Sequence, residues 1–171
     1  MGLVDRVRIN LIRCGKLSLS ELSFDHKFDE NFVEDCIAAG GAEQFYHASD
    51  WLRSDAKFIL KLIEKHPEVL AHCEDVIFDR YDDETGSMKE VELDKFFFIA
   101  LCCEKNLRAY KFIPEKVAIE YMNAVKESKT ITGEFNGKEK VIQLVNDEFN
   151  IDRLLNIRYD IIKLRDLGGH I

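Results

Sequence analysis

The stretch FDRYDDETGSMKEVELDKFF, from Phe78 to Phe97, carries residues of the types that hold a hard divalent cation. A helix–loop–helix calcium loop needs oxygen ligands at positions 1, 3 and 5, Gly at 6 and a bidentate Glu at 12. With Gly86 at position 6, Asp83, Thr85 and Glu92 fall into place, but position 1 is Tyr81 and position 9 is Lys89. Counting instead from Asp82 leaves the loop one residue short before Glu92. Asp82, Asp83 and Glu92 are thus the ligands of a calcium-responsive alternative, and a solvated acidic loop is the competing reading.

Other groups offer less chemistry. His66 and His72 lie six residues apart, which misses the i, i+4 spacing of helical zinc ligands. Cys14, Cys36, Cys73, Cys102 and Cys103 give an odd count without a C-x-x-C pair, which argues for a reducing compartment and against a disulfide frame. No phosphate-binding loop, G-x-S-x-G or G-x-G-x-x-G occurs, and no cofactor is implied. An enzyme would need a site assembled from distant positions, such as a buried carboxylate beside His47 or Cys73. The remaining grouping is Tyr46, Trp51 and Arg53, whose types dominate binding hot spots. If Trp51 or Tyr46 lies outside the core, the three form a contact patch. In the competing reading Trp51 seals a joint between repeats, while Arg53 pairs with Asp50 or Asp55.

The elements that must position these residues follow from an internal echo. Asp29, Asp55 and Asp94 are each followed three residues on by Phe (Phe32, Phe58, Phe97) and then by Val33, Ile59 or Phe98. Seven and eight residues on stand Cys36 and Ile37, Leu62 and Ile63, Leu101 and Cys102. These offsets draw one apolar face along a helix, and an Asp in front suits an N-cap. Phe45, Leu70 and Tyr110, fifteen or sixteen residues on, would begin the second helix of each unit. The fold expected is mainly α, with stacked helical hairpins in solenoid-like repeats. Residues 29–117 form the repeat region, with a loop insertion at 80–91. Residues 1–28 supply an N-terminal helix, with Leu3, Val4, Val7, Leu11 and Cys14 on its apolar face, and a connector. Residues 118–171 form a C-terminal helical cap. Asn136-Gly137 predicts a small β-hairpin over 129–145, although Val141, Leu144, Val145 and Phe149 also fit a helix.

The segment Ala48 to Cys73 resembles a family of short helical repeats known as a domain of unknown function. The resemblance rests on an Ala-Ser-x-x-Leu-Arg-x-Asp-x-x-Phe-aliphatic-Leu core, here Ala48, Ser49, Leu52, Arg53, Asp55, Phe58, Ile59 and Leu60, followed by Pro67, Val69 and Leu70. The first copy has Gly40-Gly41 in place of the Pro, and the third lacks the Ala-Ser-Leu-Arg lead-in. The resemblance implies a helical-repeat fold in effector-like proteins of intracellular bacterial pathogens, and it carries no catalytic residues. It places the chain in the bacterial cytoplasm or, after export, in the host-cell cytosol.

Bulk composition agrees with a folded helical chain of 171 residues, 46% hydrophobic and 33% charged. The net charge of −8 disfavours phosphate backbones and polybasic membrane binding, and suits a protein partner. Asp5, Arg6 and Arg8 inside the apolar stretch of MGLVDRVRINLIRC speak against a signal peptide, and Arg6 breaks a myristoylation signal. The expected activity is protein–protein recognition over the surface of the second helices, by an effector-like or regulatory protein. An enzyme with an unrecognised site and the calcium-responsive module are the alternatives.

Overall fold

Asp29, Asp55 and Asp94 are N-caps, and each starts one of the chain's long helices. Asp29 Oδ1 accepts the amides of Asn31 and Phe32 at 3.0 and 3.1 Å. Asp55 Oδ1 accepts those of Lys57 and Phe58 at 2.8 and 3.3 Å, and Asp94 Oδ1 accepts that of Phe97 at 2.9 Å. A carboxylate there satisfies amides that have no partner within the helix and meets the positive end of the dipole. The computed structural model describes residues 2–73, 77–82, 87–92, 94–127 and 130–143. From residue 144 on, the C-terminal helical cap expected over 118–171 lies outside them, as does Asp83.

The chain is mainly helical and built from stacked helical repeats, and it divides into two compact units, Met1–Glu92 and Leu93–Ile171. The first unit opens with α1 (Leu3–Arg13) and a short 3-10 turn, Leu19–Glu21. Two copies of one motif follow. In the first, Ser23 precedes α2 (Phe24–Phe28), Asp29 caps α3 (Glu30–Gly40), and a six-residue 3-10 helix runs over Ala42–His47. In the second, Ser49 caps α4 (Asp50–Ser54), Asp55 caps α5 (Ala56–Lys65), and a 3-10 helix covers Pro67–His72. The second arm of each repeat is therefore a 3-10 helix, shorter than the α-helix expected. Only six residues separate Gly41 from the Ala48-Ser49 cap, too few for a stable α-helix, and the tighter 3-10 winding suits so short a piece.

The core of this unit is what the repeat spacing marks. Phe32, Val33, Cys36 and Ile37 of α3 are buried, as are Phe58, Ile59, Leu62 and Ile63 of α5. Phe45, Val69 and Leu70 bury the 3-10 arms, which pack on each other. On the outside, Glu34 of α3 ties to α5 through Lys65 at 2.6 Å and Lys61 at 3.1 Å. The connector after α1 is held from within: the buried Gln44 accepts the amide of Leu19 at 2.9 Å through its Oε1. One expectation for α1 is reversed. It packs against α3 through Ile9 and Ile12, while Leu3, Val4, Val7 and Leu11 face outward.

The insertion expected as a loop at 80–91 is instead a β-hairpin, β1 (Ile77–Asp82) with β2 (Ser87–Glu92). Its antiparallel register sets Phe78 opposite Val91 and Tyr81 opposite Met88, residue types that favour strands. The acids around these pairs hid the strand signal.

In the second unit Asp94 caps α6 (Lys95–Lys105), a 3-10 helix spans Leu107–Phe112, and α7 (Glu115–Glu127) begins after Pro114. This third copy has no Ser-capped short helix among the described residues, in keeping with its missing lead-in. The hairpin expected at 129–145 is present as β3 (Thr130–Phe135) and β4 (Lys138–Gln143). Asn136 and Gly137 turn it with φ of 57° and 69°, the double positive φ of the tight turn favoured in hairpins. Strand β3 lies so close to α6 that a Cβ on Gly133 would come 2.5 Å from the Phe97 ring.

Candidate functional site

Tyr46, Trp51 and Arg53 come from two consecutive short elements that bury Ala42, Gln44, Phe45 and Leu52. In the 3-10 helix Ala42–His47, Ala42, Gln44 and Phe45 are buried and Tyr46 is turned out, 55% exposed. In α4, Ser49 Oγ accepts the Leu52 amide at 3.3 Å. That cap fixes the first turn so that Leu52 is fully buried and its neighbour Trp51 is 50% exposed. The reading in which Trp51 seals the joint between repeats is thus corrected. One position on, Leu52 takes the inward place, because helical neighbours diverge by about 100°.

Arg53 joins the two elements. Its guanidinium carbon sits 5.3 Å from the Tyr46 ring centroid, a cation–π contact worth about 0.5–1 kcal/mol at an exposed site. One terminal nitrogen donates to Asp50 Oδ1, one turn back on α4. Asp55, the other acid considered for this pairing, is taken up as the α5 cap. The Nε of Arg53 is buried and has no hydrogen-bond partner among the described residues. The His47 ring meets the Tyr46 ring edge-on at 5.9 Å. The aromatic ring is thus held from two sides, and the arginine charge is answered locally by Asp50. The result is a surface patch of Tyr46, Trp51 and Arg53 in which the Tyr46 ring and the Arg53 guanidinium hold each other.

Of the calcium-ligand candidates, Asp82 and Glu92 lie on β1 and β2, and Asp83 lies outside the described residues. In the β1–β2 register Asp82 pairs with Ser87 at the turn end, while Glu92 pairs with Ile77 at the open end. Five strand steps place these two residues about 17 Å apart along the hairpin, whereas one ion needs every ligand at about 2.3–2.6 Å. Among the described residues no group of three His, Cys, Asp or Glu is placed to hold a metal.

A second grouping was not visible in the sequence: Ser23, His26, Asp5 and Arg8. His26 Nδ1 lies 2.7 Å from Ser23 Oγ, and Nε2 lies 3.3 Å from Asp5 Oδ1. These are the residue types of a nucleophile, base and orienting acid. Arg8 sets this cluster apart from such a triad: its terminal nitrogen, which can only donate, lies 2.7 Å from the same Nε2 that faces Asp5, so a cation and a carboxylate share one ring nitrogen. The cluster ties α2 to α1. Only the Ser23 to His26 spacing could have hinted at it, since Asp5 and Arg8 arrive through tertiary packing.

The thiols are equally quiet. Burial pushes Cys36, Cys73 and Cys103 up to about 12, so none is a thiolate near neutral pH. Cys73 donates to the Val69 carbonyl at 3.5 Å, and His47 rests on Tyr46.

Among the described residues no helix is long and apolar enough to cross a membrane. No protein-family model matches the chain, and neither a curated protein nor a solved structure is similar to it. The repeat family named above therefore rests on the residues Ala48 to Cys73 alone.

Proposed function

We infer that this chain is a non-enzymatic recognition module that engages a protein partner through the face carrying Tyr46, Trp51 and Arg53. The observation that supports the reading most is the outward placement of Trp51, a residue type that is usually highly buried, beside an exposed Tyr46 stacked on an arginine. The backbone beneath these side chains is held by the capped α4 and by the buried Gln44 and Phe45, which lowers the ordering cost of binding. The resemblance of Ala48 to Cys73 sets the module in an effector-like or regulatory protein of a bacterial pathogen, with a host or bacterial protein as the partner.

The test compares capture by the wild-type chain with capture by Trp51→Ala and Arg53→Ala, using lysates of bacterial and host cells, with titration of whatever protein is retained. A hot spot predicts a loss of about 2 kcal/mol or more in affinity for Trp51→Ala, roughly thirtyfold, at nearly unchanged stability. A partner bound equally by wild type and both variants would refute the assignment of this face.

A further inference from the structure

We propose that the outer face of α1 is a docking surface for an anionic lipid membrane. Helix α1 has two apolar faces, and the fold uses one. Ile9 and Ile12 are 7% and 2% exposed on the α3 side, whereas Leu3, Val4, Val7 and Leu11 remain 80%, 61%, 52% and 38% exposed. At 100° per residue these four lie within one stripe about 100° wide, turned away from Ile9 and Ile12. Together they leave on the order of 400 Å² of aliphatic surface in water, a patch size that is often functional on a monomer.

Charge sorts along the same helix. The only acid of α1, Asp5, is turned inward and bonded to Arg8 at 3.2 Å. Arg6 and Arg13 are exposed at the border of the apolar stripe, Lys16 is exposed just past the helix end, and no exposed residue of α1 is acidic. The first sixteen residues hold Arg6, Arg8, Arg13 and Lys16 against Asp5, a net +3, so the remainder of the chain carries −11. The whole-chain charge of −8, which argued against anionic lipid, conceals this separation.

The dimensions select the occupant. Pairing of two such faces would bury about 800 Å² in total, below the roughly 1,000 Å² of a specific protein interface. It would also bring Arg6 and Arg13 of one copy towards those of the other. A lipid surface needs no complementary shape. A convex helix lies in the headgroup plane with its aliphatic stripe towards the acyl chains and its basic border among anionic headgroups.

The experiment is flotation of the full chain with vesicles of phosphatidylcholine alone, and with vesicles of equal parts phosphatidylcholine and phosphatidylserine. Expected is binding to the mixed vesicles that weakens with salt, falls about fivefold for each of Arg6→Gln and Arg13→Gln, and is lost in Val7→Asp at an unchanged melting temperature. Absence of binding to the mixed vesicles at low salt would overturn the proposal, as would equal binding to both compositions. So would a self-associating chain that Val7→Asp renders monomeric, since a second copy then covers the face. A sharp drop in melting temperature for Val7→Asp would also overturn it, because the face would then be covered by the chain itself.

Discussion

Gln44→Leu is the substitution that most directly probes how the recognition face is held. Gln44 is 8% exposed, and its Oε1 accepts the amide of the fully buried Leu19 at 2.9 Å and faces the Ser18 hydroxyl at 3.4 Å. Leucine fills nearly the same volume but accepts nothing, so the Leu19 amide is orphaned out of reach of water. An unsatisfied buried donor costs about 1–3 kcal/mol, while the Ser18 hydroxyl can turn to solvent and adds little. The assay is amide hydrogen exchange read at Leu19, alongside urea unfolding followed by circular dichroism. The Leu19 amide should exchange about five- to a hundredfold faster, with a lower unfolding midpoint, since 1.4 kcal/mol is a factor of ten. Gln44→Glu supplies the counter-test. It keeps an acceptor but buries a carboxyl whose pKa is raised by desolvation, so its stability is present at low pH and lost as pH rises through that raised value. An unchanged midpoint with full Leu19 protection in Gln44→Leu would refute the claim that this bond pins the connector beneath the platform of Tyr46.

Three other expectations concern the framework. Asp29→Ala and Asp55→Ala should each cost about 1 kcal/mol in chemical denaturation, with Asn at either site recovering most of the loss; an Ala variant as stable as wild type would mean the caps contribute nothing. Gly133→Ala should destabilise the second unit by about 1–3 kcal/mol in thermal unfolding, because the new methyl meets the ring of Phe97, itself 1% exposed. The Glu34 carboxyl is held below its ordinary range by its hydrogen bond with Lys65 and then by Lys61. Its contribution is therefore complete above the ordinary carboxylate pKa and fades as pH falls through the lowered value. Glu34→Gln should cost about 0.5 kcal/mol at neutral pH, discounted for the exposure of the lysines, and nothing in strong acid, as comparison of urea midpoints across pH would show.

The parts of this protein legible in its sequence are those set within a few residues of chain. Asp followed three residues later by Phe is a cap and the first buried position of a helix, and all three instances formed helices because the carboxylate reaches the amide three residues on. Asn136-Gly137 turned a hairpin because both residues tolerate positive φ. The types in the recognition face, Tyr46, Trp51 and Arg53, were also legible. Whether they faced water was not, because periodicity marks an apolar position without saying which of two adjacent apolar residues, Trp51 or Leu52, the next element will cover.

The same limit applies to α1, whose two apolar faces are equivalent on a helical wheel until α3 packs against Ile9 and Ile12. Tertiary contact also placed Arg8 and Asp5 against His26. It brought Lys61 and Lys65 to Glu34, and it paired β1 with β2 where a count of acids suggested a loop. Local chemistry, then, determined the caps, turns and repeat length, since those bonds close within one turn of chain. Burial, exposure and protonation were decided only when distant segments met, since each depends on the neighbour that excludes or admits water.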